Sequence, residues 1–372
     1  MSQWARKTLE SLLENANIQI GGSKPWDIRI RDNRFFRRVL GQGSLGLGES
    51  YMDGWWECER PDELIFRVLK AGLDSRVSSG ARAGMQLLAA SLLNLQSRAR
   101  AFIVGERHYD ISSDLYRKML DERMSYSCGY WDQATTLEEA QEHKLDLICR
   151  KLDIQPGQRV LDIGCGWGSF SGFAAERYGA EVVGVTISRE QAEFAKQRYR
   201  HLPVEIRLQD YRALNEPFDR IISIGMFEHV GYKNYRTYMN VARRCLRDDG
   251  LFLLHTIGNR RTVVHGDPWM HRYIFPNGML PSIKQIGIAI ENRFIMEDWH
   301  NFGADYDRTL LAWHDNFMAG WDEFAAAFGE RFCRMWKYYL LACAGSFRAR
   351  KMQLWQIVLS PEGLPGGYRS VR

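Results

Sequence analysis

No two of the seven cysteines form a Cys-x-x-Cys pair. Cys58, Cys128, Cys149, Cys165, Cys245, Cys333 and Cys343 are odd in number and scattered. That excludes a disulfide framework and a structural zinc site and suits a reducing compartment. Long apolar runs are also missing. The most apolar stretch, Leu87 to Leu95, is far shorter than the roughly 20 residues a membrane-spanning helix needs. The first residues carry Arg6, Lys7, Glu10 and Glu14 at helical spacing and do not read as a signal peptide. Charge of one sign is not in excess: 50 Lys and Arg stand against 45 Asp and Glu, a net +5. Such a balance tolerates an anionic membrane surface without calling for nucleic acid. Internal repeats and low-complexity tracts are absent.

The 372 residues are 45% hydrophobic and 26% charged, enough to bury a full core in two or three domains. Three segments can be drawn. Residues 1–75 mix short helices with Gly-rich turns such as Gly41-Gln42-Gly43-Ser44-Leu45-Gly46. Residues 76–109 form a basic linker with Arg76, Arg82, Arg98 and Arg100 and an apolar helical middle, Met85 to Leu95. It is either a packed connecting helix or a membrane-facing element. Residues 110–372 form the third segment.

In that segment strands and helices alternate. Arg159 to Ile163 reads as a strand, Ser169 to Tyr178 as a helix and Glu181 to Thr186 as a Val-rich strand. Ser188 and Gln191 form a capping box that opens the next helix. Val204 to Leu208, Arg220 to Ile224 and Leu251 to His255 supply further strands, and Asn234 to Cys245 a helix. The expectation is an α/β fold with a doubly wound, mostly parallel sheet, preceded by a smaller, mainly helical N-terminal domain. Ligands in such sheets sit at the carboxyl ends of the strands.

The first strand runs into Gly164-Cys165-Gly166-Trp167-Gly168. Alternate glycines let the backbone approach a ligand and adopt positive φ. The spacing differs from the G-x-G-x-x-G of dinucleotide sites. Asp162, just ahead of the turn, would repel a pyrophosphate and attract a cation, which favours S-adenosylmethionine. A plain Gly-rich turn is the alternative. The second strand ends without a carboxylate for ribose hydroxyls, so Thr186 and Gln191 are the candidates there. Gln209 and Asp210 follow the third strand; Asp210 is either an acceptor for the adenine amine or a helix cap.

Further segments point to one family. They are Ser44 to Trp56, Tyr126-Ser127-Cys128, the glycine loop, Gly225-Met226-Phe227-Glu228-His229-Val230-Gly231, Leu254-His255-Thr256-Ile257-Gly258, Tyr273 to Gly278, and Asn301 to Tyr306. Over nearly its whole length the chain resembles the cyclopropane-fatty-acyl-phospholipid synthases. These are class I S-adenosylmethionine-dependent methyltransferases akin to the mycolic acid cyclopropane synthases. The resemblance implies methylene transfer from S-adenosylmethionine to the cis double bond of an unsaturated phospholipid acyl chain. It further implies bicarbonate as general base, held by Cys128, Glu228, His255, the Ile257 backbone and Tyr306. Cofactor contacts would be Tyr126, Ser127, Gly164, Gly166, Gly168, Thr186, Gln191, Gln209 and Asp210. A cytoplasmic homodimer working peripherally on the membrane is implied as well, with residues 1–75 as its lipid-association or dimer domain; the residues themselves call for no metal and no nucleic acid.

The residues suit that chemistry. The alkene is itself the nucleophile, so no activated Ser or Cys is required, and Cys343 reads as a core thiol. A permanent carboxylate aimed at the alkene would be costly to desolvate; a captured anion that donates to Glu228 avoids this. Aromatic faces can stabilise a developing cation; of Tyr273, Phe275, Trp299, Phe302 and Tyr306, the candidate is Tyr306. His229 reads as structural. A methyltransferase that leaves a methyl branch, one acting on small molecules, and a non-catalytic lipid-binding scaffold are the competing readings.

Overall fold

The computed structural model describes residues 2–75 and 113–372. The basic linker over 76–109 lies outside them. The described residues fall into two units, and both are discontinuous in sequence. One comprises 2–75, 264–276 and 306–352; the other 113–263, 277–305 and 353–372. The first unit therefore draws in two later stretches that the sequence reading assigned to the third segment.

The first unit is helical: α1 (Ser2–Glu14), α2 (Arg34–Gln42), α3 (Ser44–Met52) and α4 (Pro61–Lys70), with a two-residue antiparallel pairing of β1 (Arg29–Ile30) and β2 (Trp56–Glu57). Gly43, at φ 57°, separates α2 from α3, and the Gly-rich run after it is helix, not turn. Tertiary contact overrides propensity there. Gly48 lies so close to the buried Trp269 that a Cβ would stand 2.4 Å from the indole.

The second unit is the α/β layer. Its elements are α5 (Ser113–Met119), α6 (Leu137–Lys151), β3 (Arg159–Ile163), α7 (Ser169–Tyr178), β4 (Glu181–Thr186), α8 (Arg189–Arg198), β5 (Val204–Leu208), β6 (Phe218–Ile224), α9 (Tyr235–Cys245) and β7 (Leu246–Asn259). After α10 (Pro268–Tyr273) of the first unit come α11 (Ile283–Ile290) and β8 (Ile295–Asn301). The first unit then contributes α12 (Asp305–Gly320) and α13 (Ala325–Arg348), and β9 (Met352–Ser360) returns to the sheet. The strand order is β5-β4-β3-β6-β7-β9-β8. The first five strands pair in parallel, and β8 pairs with β9 antiparallel. The order reverses at β3, which pairs with both β4 and β6. The doubly wound, mostly parallel sheet expected from the sequence is present.

Alternate residues of the central strands enter two cores. Leu161, Ile163, Val183, Val185 and Ile221 pack on one face; Val160, Val182, Ile222 and Leu253 pack on the other. Burial on both faces is why these strands read as continuous apolar runs. Among the described residues no helix is long and apolar enough to cross a membrane.

Candidate functional site

The crevice beyond the carboxyl end of β3, at the sheet's switch point, is where such folds bind ligands. Gly164, Gly166 and Gly168 have φ of 86°, 54° and 82°. A Cβ on Gly164 would lie 2.8 Å from Met226 and one on Gly168 2.9 Å from Tyr199, so both sites require glycine for space and for backbone sign. Gly168 then caps α7. Asp162 is buried and accepts from the Ser171 hydroxyl at 2.8 Å. Burial lifts its carboxyl to about 7, against the opposing pull of that hydrogen bond and of Lys144.

Thr186 ends β4 and donates to Gln191 Oε1 at 3.1 Å. Ser188 accepts from the Gln191 amide at 3.4 Å, but the Gln191 side chain is turned to Thr186. Only half of the expected capping box therefore forms. Gln209 is half-buried, and its amide donates to the Thr186 carbonyl. Asp210 caps the short turn Tyr211–Ala213 and takes the Arg212 guanidinium at 2.9 and 2.7 Å. The helix-cap alternative raised for it from sequence is met.

Tyr126 packs edge-on against Tyr116, their centroids 5.2 Å apart, and Tyr116 lies 4.9 Å from Trp167 of the glycine loop. Ser125 Oγ and Ser169 Oγ, 2.7 Å apart, tie the same tract to the start of α7. Cys128 is fully buried, with its thiol towards the Gly129 carbonyl at 3.2 Å.

A second group lies just after β6 and on β7. Glu228 sits in the turn Phe227–His229 and His255 on β7. Burial pushes the Glu228 carboxyl to about 7, opposed by its hydrogen bonds. Glu228 Oε1 accepts from the Ile257 amide at 2.6 Å. The backbone donor expected to hold an anion is thus taken by Glu228. Among the described residues neither Glu228 Oε2 nor His255 Nε2, both buried, has a hydrogen-bond partner. Burial, with the Lys144 and Lys151 charges, holds His255 well below its ordinary range, so the ring is neutral. Gln356 Nε2 stands 3.3 Å from His255 Nδ1. As that amide is oriented, Nδ1 accepts and Nε2 carries the proton.

Phe302 lies 5.9 Å from the His255 ring and 5.3 Å from Tyr130. Sequence reading placed it among several aromatics without singling it out. Tyr306 belongs to the other unit, where it stacks on Phe347 at 4.4 Å. Tyr273 and Phe275 are in that unit too, while Trp299 packs against Trp355 in the sheet unit. Desolvation pushes the Cys343 thiol up to about 12, which leaves it a poor nucleophile.

Sequence reading missed the polar inner face of α6. Gln141 and Lys144 are 0% and 1% exposed, and Lys151 is fully buried. Gln356 of β9, which positions His255, was missed too. A lysine or glutamine on a helix normally marks its solvent face; only the spacing of Gln141, Lys144 and Lys151 on one stripe could have drawn attention to them. Among the described residues no cluster of His, Cys, Asp or Glu could hold a metal ion.

Residues 96–357 match the model of the mycolic acid cyclopropane synthetase family. The chain is 56% identical over 369 residues to the cyclopropane-fatty-acyl-phospholipid synthase of Escherichia coli K12, covering 99% of this chain and 96% of that protein. It is 36% identical over 262 residues to cyclopropane mycolic acid synthase 1 of Mycobacterium tuberculosis, covering 65% and 91%. Among solved structures, the cyclopropane synthase MmaA2 of Mycobacterium tuberculosis aligns with a TM-score of 0.66 at 32% identity, covering 72% of this chain and 99% of that one. Mycolic acid cyclopropane synthase CmaA1, complexed with SAH and CTAB, aligns with a TM-score of 0.65 at 34% identity, covering 69% and 97%.

Proposed function

The chain belongs to the mycolic acid cyclopropane synthetase family, and from that premise we propose that it builds a cyclopropane ring on the cis double bond of unsaturated phospholipid acyl chains. It is an S-adenosylmethionine-dependent methyltransferase. The observation that carries the finer reading is that two buried atoms, Glu228 Oε2 and His255 Nε2, have no hydrogen-bond partner among the described residues. Buried polar groups are almost always hydrogen-bonded, so each of the two atoms calls for a polar partner, and one small occupant bridging them would satisfy both. The site offers one acceptor, a carboxylate oxygen, and one donor, the His255 N–H. Bicarbonate presents the complement, one O–H and several acceptor oxygens.

When bound, S-adenosylmethionine supplies an electrophilic methyl carbon and bicarbonate supplies an acceptor for the proton that methyl loses as the ring closes. The protein's part is positional and electrostatic. Glu228, fixed by the Ile257 amide, takes the O–H of the anion and so raises its basicity. Neutral His255, its tautomer set by Gln356, donates without adding a charge. Phe302, in a T-shaped contact with the His255 ring, adds an aromatic group there that excludes water and tolerates a developing cation. The glycine loop and Tyr126 to Ser127 make up the cofactor side, with Thr186, Gln191, Gln209 and Asp210 around it. Cys128 and Tyr306 are the further base-site residues that the resemblance assigns.

Atoms balance: alkene plus methyl sulfonium gives cyclopropane, S-adenosylhomocysteine and one proton. An insoluble substrate places the work at a membrane surface. The same reading takes the protein as a cytoplasmic homodimer.

The test is incubation with unsaturated phospholipid vesicles and S-adenosylmethionine, in carbonate-depleted and carbonate-replete buffer, with mass analysis of the fatty acids. A gain of CH₂ with loss of the double bond, strongly reduced without carbonate, is expected. Undiminished conversion in depleted buffer would leave Glu228 itself, poised near neutrality, as the base.

A further inference from the structure

Gln141 and Lys144 are three residues apart on α6 and therefore share a face. Both point inward. Gln141 Nε2 donates to the Ser127 carbonyl at 2.8 Å and to the Ser125 carbonyl at 3.4 Å. Lys144 Nζ donates to Ser127 Oγ at 3.1 Å. One helix face thus holds the Tyr126-Ser127-Cys128 tract by backbone and side chain together.

An ammonium has three donors and no lone pair. Ser127 Oγ must accept from it, and the hydroxyl's own proton has to go to another acceptor. Among the described residues the Ser127 hydroxyl has Lys144 as its hydrogen-bond partner and donates to no acceptor, and Ser127 is only 7% exposed. The field has a direction as well. Lys144 is within electrostatic reach of Asp121 and of Asp162, the residue two before Gly164, so a buried ammonium and a buried carboxyl act on one another close to the start of the glycine loop. A zwitterionic amino acid presents the matching pair of charges.

We infer that Lys144 is a positioning residue of the cofactor site, turning the Ser127 hydroxyl to donate to the carboxylate of the cofactor's methionine portion. The inference rests on the reading of the Tyr126 to Ser127 tract and glycine loop as the cofactor site. A hydrogen bond to a charged group contributes about 1.5 to 3 kcal/mol, or about 10- to 100-fold in affinity.

The experiment is calorimetric binding of S-adenosylhomocysteine and of its decarboxylated analogue to the wild-type protein, to Lys144→Met, to Ser127→Ala and to the double variant. Lys144→Met should weaken S-adenosylhomocysteine by about 10- to 100-fold while the analogue changes little. The double variant should be no weaker than the single ones, and Lys144→Arg should recover part of the loss. In turnover the KM for S-adenosylmethionine should rise with little change in kcat. Should Lys144→Met not fold, Lys144→Gln, which keeps a donor and removes the charge, carries the same comparison. Equal losses for both ligands, additive losses in the double variant, or no loss overturn the inference. A wild-type protein that binds neither ligand overturns the cofactor-site reading itself.

Discussion

Glu228 is held where a carboxylate is expensive. Its Oε2 has no hydrogen-bond partner among the described residues, and burial lifts its pKa from 4.5 to about 7. The folded state therefore binds this proton more tightly than the unfolded chain does. Its contribution to stability is most favourable below pH 4.5 and is lost as pH rises through about 7. Glu228→Gln keeps an acceptor for the Ile257 amide and removes the ionisation. Relative to wild type, that variant should gain stability, by a few kcal/mol, between pH 5 and pH 8 in carbonate-depleted buffer. Denaturant midpoints at the two values measure it; a gap that stays constant with pH would contradict the assigned burial. In turnover the sign reverses. The variant should lose about 10² to 10⁴ in rate while S-adenosylhomocysteine binding is preserved. A residue kept at a cost to stability and needed for rate is a functional one, and the two measurements together separate it from a packing residue.

At the scale of elements, β3, α7, β4 and β5 fall where the sequence puts them. Parallel strands covered on both faces show as Val, Ile and Leu runs, and the glycine loop marks the strand-to-helix turn. The antiparallel pair β8 and β9 was not foreseen, and β7 extends from Leu246 to Asn259, beyond both ends of its apolar stretch. Partners distant in sequence decide these. The same cause hides α3, whose glycines argue for turns until Trp269 arrives from more than 200 residues away to fill the space beside Gly48. That contact gives a prediction of unusual sign. In an exposed helix Gly→Ala stabilises by up to about 1 kcal/mol. At Gly48 the new methyl would meet a buried indole at 2.4 Å, and overpacking typically costs about 1 to 3 kcal/mol. Gly48→Ala should therefore lower the denaturation midpoint; a rise would show that α3 and α10 are not packed as described. For the site, the sequence pointed to Glu228, His255 and the glycine loop through their motifs, whereas Lys144, Gln141 and Gln356 carry no motif and become visible only as buried polar atoms.

At the scale of the molecule, neither unit is continuous in sequence: 264–276 and 306–352 group with the N-terminal helices. Composition along the chain could not reveal this, because a helix that packs on a distant segment has the same amphipathic pattern as one that packs on its neighbour. What the whole chain does carry openly is charge. A net +5 over 372 residues is mild, yet Arg76, Arg82, Arg98 and Arg100 fall within 25 residues that hold no acid. On the proposed reading, an insoluble acyl substrate calls for a stay at the bilayer, and each basic side chain near anionic lipid contributes about 1 kcal/mol. Changing the four arginines to Gln should therefore weaken binding to anionic phospholipid vesicles by at least about tenfold. Conversion on those vesicles should fall, while conversion of lipid dispersed in neutral detergent stays unchanged. Salt should mimic the variant in the wild type, since surface attraction of this kind is screened beyond about 10 Å at 0.1 M. If the segment is instead a packed connecting helix, the variant would lose thermal stability and keep its vesicle affinity, and the four arginines would have no part in membrane binding.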